Sequence, residues 1–222
     1  MSDFFKGGME SRIRSIVTLA SPINGTSAYD LFEDKRFDPE QVKVPFWSKG
    51  LAKMMSMGTK PKKDGRKETD YADYDMHIDN ALTLNSRIST LPSVYYFSVP
   101  CSSTVLQENG MHMPDLTKTE PLFVMRSAQI GNYSGITKGG TVIDETWQQN
   151  DGLVNTFSAK APLGAPQKSL DLNDIRPGIW NVFPTYDGDH MSLQGGLLRK
   201  TDIRDFYIHL LSLIEQTAGQ NL

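Results

Sequence analysis

The first strongly apolar stretch of the chain is residues 12–20, Arg-Ile-Arg-Ser-Ile-Val-Thr-Leu-Ala. Apolar side chains fall on both sides of the alternation, with Val17 and Leu19 on one side and Ile16 on the other. This pattern predicts a strand that is buried on both faces, as in a parallel sheet. A polar turn follows, and residues 27–32 are expected to begin a short helix, so the chain opens as strand, turn and helix.

Two more strands are predicted, which makes three in total. Residues 93–99, Ser-Val-Tyr-Tyr-Phe-Ser-Val, are bounded by prolines, and so are residues 178–183, Gly-Ile-Trp-Asn-Val-Phe. Both stretches are typical of buried strands. A helix candidate at 76–87 precedes the second strand, and the interval between the first two strands is long enough for the crossover that parallel pairing requires.

The most regular helical pattern closes the chain. Thr201 or Asp202 is predicted to cap its N-terminus. Apolar side chains then recur at intervals of three and four residues, which predicts one face packed against the sheet. These side chains are Ile203, Phe206, Tyr207, Leu210, Leu211 and Ile214. Together the elements predict an α/β fold with a mostly parallel sheet.

Residues 101–149 carry little periodicity apart from the apolar run at 122–125. Plain connections in compact domains are much shorter than this stretch. We therefore expect residues 101–149 to form a lid or cap-like excursion within the domain.

Composition narrows the class of protein. The chain has 222 residues, 38% apolar and 22% charged, which favours one globular domain. A net charge of −3 gives no electrostatic reason to bind nucleic acid. The lone cysteine, Cys101, is expected to be a buried free thiol, with a nucleophile as the alternative. No apolar run is long enough to span a membrane, and residues 1–8 lack the apolar region of a signal peptide.

Two polar segments combine turn residues with ionisable groups. Asp151 is at the apex of the turn Gln-Asn-Asp-Gly-Leu-Val, where its plainest role is an Asx turn that caps backbone N–H groups. Residues 186–191, Tyr-Asp-Gly-Asp-His-Met, follow the third predicted strand and place His190 where α/β proteins carry catalytic groups. A surface histidine, or a cation site at Asp187 and Asp189, would give the same pattern.

The two segments are more informative together. An acyl-transfer triad needs a general base and a carboxylate that fixes the base's tautomer. In α/β-hydrolases the triad follows the chain order nucleophile, acid, histidine. Asp151 precedes His190 by 39 positions, with one predicted strand between them, which fits the order of acid and base.

Further stretches extend this pattern over nearly the whole chain. They are Phe5–Gly8, Ala20–Thr26, Tyr74–Asn85, Gly131–Tyr133, Asn150–Val154, Gly178–Trp180, Asp189–His190 and Asp202–Tyr207. In this order they resemble the C-terminal half of the thermoalkalophilic and staphylococcal-type bacterial triacylglycerol lipases. The resemblance implies a partial α/β-hydrolase fold over residues 1–222, in which Asp151 is the triad acid and His190 the triad base.

The chain departs from this family in its nucleophile. No Gly-x-Ser-x-Gly motif occurs in the sequence, and in the family that motif lies upstream of the position matching Met1. We therefore expect an acid and a base for ester hydrolysis without the serine, and an inactive chain when it is isolated. The expected partners are a lipid or ester substrate in the complete enzyme and a missing N-terminal half. A non-catalytic lipase-like binding or assembly module that uses residues 101–149 is the alternative, and a misassigned start codon is a third possibility.

The resemblance also bears on metals and compartment. The family's calcium site matches Thr117, Ser192 and Leu197 here, and because a calcium site needs carboxylates we expect it to be lost. The family's zinc ligands cannot be placed in this sequence. The other histidines are expected to be surface or cap residues: His77, His112 and His209. Secretion is implied by the resemblance alone, so the compartment stays open.

Overall fold

A four-stranded parallel sheet forms the middle of the structure, a computed structural model that describes residues 12–51, 67, 69 and 71–219. In chain order the strands are β1 (Ser15–Leu19), β2 (Tyr95–Val99), β3 (Cys101–Ser102), β4 (Thr104–Leu106), β5 (His112–Pro114), β6 (Gly135–Ile136), β7 (Val142–Ile143), β8 (Gln167–Ser169), β9 (Trp180–Val182) and β10 (Tyr186–Asp187). The central sheet has the order β1-β2-β9-β8, and each neighbouring pair is parallel. Beyond their ends, β3 and β10 form a short parallel pair. The α/β class with a mostly parallel sheet is therefore confirmed.

Helices flank these strands. They are α1 (Ser27–Asp30), α2 (Ala72–Met76), α3 (Ile78–Asn85), α4 (Val124–Gly131) and α5 (Arg204–Gly219). The first three lie between β1 and β2 and supply the crossover that the sequence predicts. The helix predicted at 76–87 is observed as α3, which His77 separates from α2 by an extended backbone conformation. No described helix is both long enough and apolar enough to cross a membrane.

The predicted sheet was wrong in two respects. The observed sheet has a fourth strand, β8, at its edge; the sequence Gln-Lys-Ser has no apolar alternation because Gln167 and Ser169 are exposed. The first strand is not buried on both faces: among the described residues β1 is the opposite edge strand of the sheet, and Ile16 is 37% exposed. The three strands predicted from sequence are otherwise confirmed as β1, β2 and β9.

One face of the sheet is covered by α5. Phe97 on β2 is fully buried and packs in a cluster with Tyr95 and with Leu213 of α5. The predicted face of α5 was wrong at Leu211, which is 58% exposed, whereas Leu210 is 5% exposed. A rotation of about 100° per residue sets Leu210 and Leu213 on one side of the helix and turns Leu211 away.

The segment 101–149 is more regular than its sequence pattern indicates. It contains the hairpins β4–β5 and β6–β7 as well as α4. Ile130 and Tyr133 are buried and pack in one cluster with Leu31 and Ile78 from the crossover. The pattern was hidden because α4 also buries polar residues. The stretch Phe5–Gly8 lies outside the described residues, so the structure adds nothing to that part of the resemblance.

Candidate active site

Asp151 and His190 lie on two loops at the carboxyl end of the central strands. The Ser103 N–H, just after β3, donates to the Asn150 carbonyl at 3.0 Å, which places Asp151 beside that strand. His190 follows three residues after β10, the partner of β3. Side chains at this edge of a parallel sheet are free to meet because the strands end there together.

The two residues contact each other through both side chain and backbone. His190 Nδ1 is 2.9 Å from Asp151 Oδ2, and the His190 N–H donates to the Asp151 carbonyl oxygen at 2.9 Å. The side chain of Asp151 is 1% exposed and that of His190 is 23% exposed. A buried carboxylate thus holds one ring nitrogen of a partly accessible imidazole, which is the arrangement that orients a general base.

The other carboxylate oxygen of Asp151 forms the Asx turn that the sequence suggests. Oδ1 accepts the N–H of Leu153 at 3.0 Å and that of Val154 at 2.7 Å. The two roles considered for Asp151 are therefore compatible, since each oxygen has its own partners. The turn therefore holds the carboxylate in the orientation in which Oδ2 contacts His190.

The neighbours of Asp151 explain the sequence Asn-Asp-Gly. Gly152 has φ +102°, and a Cβ at this position would lie 2.8 Å from the Cβ of Phe123. A residue with a side chain would be strained in this left-handed conformation. Asn150 is fully buried, accepts the Gly152 N–H at 2.9 Å and donates to the carbonyl of Ser127 at 3.1 Å.

The electrostatic surroundings favour the protonated imidazole. Burial lowers the pKa of His190, but the hydrogen bond and charge of Asp151, together with the charge of Asp189, outweigh it and raise the pKa above its usual value. An imidazolium formed during proton transfer would be stabilised in the same way.

This raised pKa predicts a pH dependence of stability. Because the folded-state pKa lies above the unfolded value of about 6.5, the stabilisation from protonated His190 is complete below that value and is lost as the pH rises through the folded-state pKa. Urea unfolding of the wild type and His190→Asn across this range is expected to show a free-energy difference that shrinks as pH rises. His209→Asn, which changes an exposed histidine on α5, is the control; a constant wild-type–to–His190→Asn difference would contradict the expectation.

Asp187 and Asp189 have separate partners, which argues against the cation site considered above. Asp187 is exposed and lies 2.6 Å from the Lys118 ammonium. Asp189 is buried and accepts the Glu120 N–H at 2.6 Å and the Met191 N–H at 3.0 Å. Burial raises the pKa of Asp189. Sequence reasoning named Asp189 only as a cation ligand and missed its bracing role in the His190 loop.

Cys101 is a buried free thiol, as expected. Burial raises the pKa of the thiol, and the charges of Asp151 and Asp189 act in the same direction. The reactive thiolate is therefore disfavoured, which argues against the nucleophile considered as the alternative.

A second cluster of ionisable groups was missed by sequence reasoning. His77 Nδ1 lies 3.2 Å from Asp30 Oδ1 and 4.0 Å from Glu33 Oε2, and these three side chains are close enough to hold a metal ion. The Lys138 ammonium already pairs with Glu33 at 2.7 Å. Asp30 and Glu33 lie more than 40 positions from His77 in the sequence, so only the fold brings the three side chains together.

The remaining histidines lie outside this cluster. His112 is half-buried, with Nδ1 3.3 Å from the Thr104 hydroxyl, and burial lowers its pKa. His209 is exposed on α5.

The fold is that of an α/β protein whose solved structural neighbours include lipases. Residues 60–219 match the family model described as "Lipase-like, C-terminal domain", so the chain belongs to this family. The resemblance drawn from the sequence is confirmed.

Individual relatives agree with the family. A lipase of Staphylococcus hyicus is 30% identical, over 88% of this chain and 32% of its own length. Lipase 1 of Staphylococcus aureus (strain NCTC 8325 / PS 47) is 29% identical, over 98% of this chain and 34% of its own length. The crystal structure of the Staphylococcus hyicus lipase has a TM-score of 0.71 at 25% identity and covers 100% of this chain and 61% of that one. The chain thus spans about a third of the length of the curated lipases that it matches.

Proposed function

We propose that this chain supplies the acid and the base of a Ser-Asp-His triad that hydrolyses carboxylic esters of the acylglycerol type. The observation that carries the proposal is the 2.9 Å contact between His190 Nδ1 and buried Asp151 Oδ2. It is supported by the family, whose relatives named above are lipases. The serine is supplied by further polypeptide, because Gly-x-Ser-x-Gly does not occur in these 222 residues.

In this mechanism each group has one proton-transfer task. Asp151 keeps the Nδ1–H tautomer of His190, so that Nε2 is the basic nitrogen. Nε2 takes the proton of the serine hydroxyl as the oxygen attacks the ester carbonyl, and then returns it to the alcohol as the C–O bond breaks. Water repeats the sequence on the acyl-enzyme. The partial exposure of His190 leaves the ring accessible to both partners.

The predicted domain organisation is part of the same proposal. Residues 1–222 form one lipase-like domain with a partial α/β-hydrolase fold, and residues 101–149 act as its cap. Met111 and Met113, both half-buried near the β4–β5 hairpin, would present adaptable apolar surface to acyl chains.

The missing half would join the sheet at β1. Within the described residues β1 pairs on one side only, with β2. Ile16 on β1 is 37% exposed, and Ile13, two residues before the strand, is 41% exposed. An open edge with apolar side chains favours the addition of another strand, so we propose that the nucleophile-bearing segment pairs here.

The proposed function is tested by extending the polypeptide upstream of Met1. The coding DNA upstream of Met1 is read in frame for Gly-x-Ser-x-Gly, and the extended polypeptide is compared with the 222-residue chain on a chromogenic ester. The extended polypeptide is expected to hydrolyse the ester, and the short chain is expected to show only background hydrolysis. Burst release of alcohol by the short chain that His190→Ala abolishes would contradict the requirement for a separate serine. Absence of the motif upstream, with a monodisperse and cooperatively melting short chain, would favour the binding module instead.

A further inference from the structure

A single buried carboxylate holds the loop that follows His190. Glu120 is 1% exposed, whereas Leu197 and Leu198 are 43% and 64% exposed. Its Oε1 accepts three consecutive N–H groups, from Leu197 at 2.8 Å, Leu198 at 2.7 Å and Arg199 at 2.8 Å. Consecutive N–H groups that converge on one anion form a nest with partial positive charge. Charge-assisted hydrogen bonds therefore hold residues 197–199 of the loop, where the leucine side chains are exposed.

Arg199 completes the connection in the opposite direction. Its guanidinium donates from Nη2 to the Leu116 carbonyl at 2.8 Å and from Nη1 to the Thr117 carbonyl at 3.1 Å. The Glu120 carboxylate thus binds backbone N–H groups of residues 197–199, and the Arg199 guanidinium binds backbone carbonyls of residues 116–117. The turn before Arg199 needs glycine, since Gly196 has φ +75° and a Cβ there would lie 1.6 Å from the Arg199 carbonyl oxygen.

The same segment braces the residues beside His190. The backbone N–H of Glu120 donates to Asp189 Oδ2 at 2.6 Å, and Asp189 Oδ1 accepts the Met191 N–H at 3.0 Å. The loop is thus held next to His190 by the backbone of Glu120 and farther along by its carboxylate. The first of these contacts is made by Asp189, the residue directly before His190.

The calcium site implied by the family resemblance does not fit these residues. The Ser192 hydroxyl is buried and donates to Asp189 Oδ1 at 3.0 Å, and Leu197 has no oxygen in its side chain. The Thr117 carbonyl already accepts the cationic guanidinium of Arg199. A calcium ion needs six to eight oxygen ligands, including carboxylates, and would meet a competing cation here.

We propose that Glu120 and Arg199 form a metal-free clamp that positions His190 against Asp151. Glu120 is a positioning residue, because it acts through the loop and not on the substrate. The proposal rests on the function proposed above, since it assigns the clamp to the base of the same triad.

The first test replaces the carboxylate by its uncharged isostere in the 222-residue chain. In Glu120→Gln the amide protons of residues 197–199 are expected to exchange at least about tenfold faster, because the hydrogen bonds lose their charged acceptor. The amide of Phe97 on β2 is the internal reference and should keep its rate. Glu108→Gln, a change at an exposed glutamate in the β4–β5 hairpin, is the matched control. Unchanged exchange at 197–199 would overturn the clamp.

Arg199→Gln separates positioning from direct electrostatics. Asp151 and Asp189 both raise the pKa of His190. Removing a positive charge from the loop would by charge alone leave the pKa of His190 unchanged or raise it further, whereas loosening the contact with Asp151 would lower it. NMR titration of His190 is expected to show a fall in both Arg199→Gln and Glu120→Gln. A rise or no change in the pKa of His190 in Arg199→Gln would overturn the positioning role. Because Arg199 is exposed, this variant is expected to retain the fold even if Glu120→Gln does not.

The metal-free character has its own measurement. The melting temperature of the wild type is expected to be the same in excess calcium chloride and in EDTA. A rise in calcium that Glu120→Gln removes would replace the clamp by a cation site and overturn the proposal. Failure of the clamp is distinguishable from failure of the triad: a deshielded Nδ1–H signal of His190 that Asp151→Asn abolishes supports the pair, whatever the Glu120 variant does.

Discussion

Replacement of Asp151 by Asn is expected to lower kcat about 10⁴-fold in the extended polypeptide proposed to carry the nucleophile. The amide is nearly the same size as the carboxylate and can still accept the N–H groups of Leu153 and Val154 through one oxygen. The NH₂ group of the asparagine then faces His190 Nδ1 in place of Oδ2 and favours the wrong tautomer of the imidazole. The imidazolium also loses its counter-charge, so the barrier rises while substrate contacts are unchanged. KM is therefore expected to change little.

The measurement is the initial rate of ester hydrolysis over a range of substrate concentrations, with circular dichroism to verify folding. Asp187→Asn is the matched control, because Asp187 is three residues from His190 yet exposed and paired with Lys118. It is expected to retain nearly the full kcat. Loss of activity through KM alone in Asp151→Asn would assign Asp151 to substrate binding and would contradict its proposed role as the triad acid.

The Asp–His pair could be proposed from the sequence because its signal is local. Asn-Asp-Gly specifies a turn with a left-handed glycine, and the second loop follows an obvious strand that ends at Pro184. The order of the two residues along the chain then suggested Asp151 as the acid and His190 as the base. The contact itself depends on β3 and β10 pairing beyond the main sheet, and two-residue strands leave no periodic pattern.

Other features depend on tertiary contacts that no local pattern encodes. Glu120 is followed by a proline and an apolar run, and nothing in that stretch indicates a buried carboxylate whose partners lie 77 to 79 positions away. The edge strand β8 was missed because edge strands need not be apolar, and α4 because its buried face includes Ser127 and Gln129. At α4 and at Glu120 the reason is the burial of polar side chains, which removes the apolar periodicity on which sequence reasoning depends, whereas β8 was missed because it is exposed.

Truncation of Phe97 to Ala is expected to lower the free energy of unfolding by about 3–5 kcal/mol. Phe97 is in the middle of β2, which pairs with β1 on one side and β9 on the other, and is 0% exposed. Its ring packs edge-to-face on Phe183 at 6.3 Å between centroids and contacts Leu213 of α5. Pairing with strands on both sides restricts any collapse of the sheet around the cavity. The loss of stability therefore includes both the transfer free energy of the deleted ring and the cost of the cavity that it leaves.

Urea unfolding followed by tryptophan fluorescence measures this loss, with Val105→Ala on β4 as the control because Val105 is 49% exposed. The control is expected to change stability by less than about 0.5 kcal/mol. The result bears on the site as well, since β2 leads through Pro100 into β3, against which the Asp151 loop is hydrogen-bonded. If β2 anchors that edge, Phe97→Ala should also speed amide exchange at Ser103, whose N–H donates to the Asn150 carbonyl. Destabilisation below about 1 kcal/mol would mean that α5 and the sheet repack around the missing ring, and that β2 is not the anchor of the site.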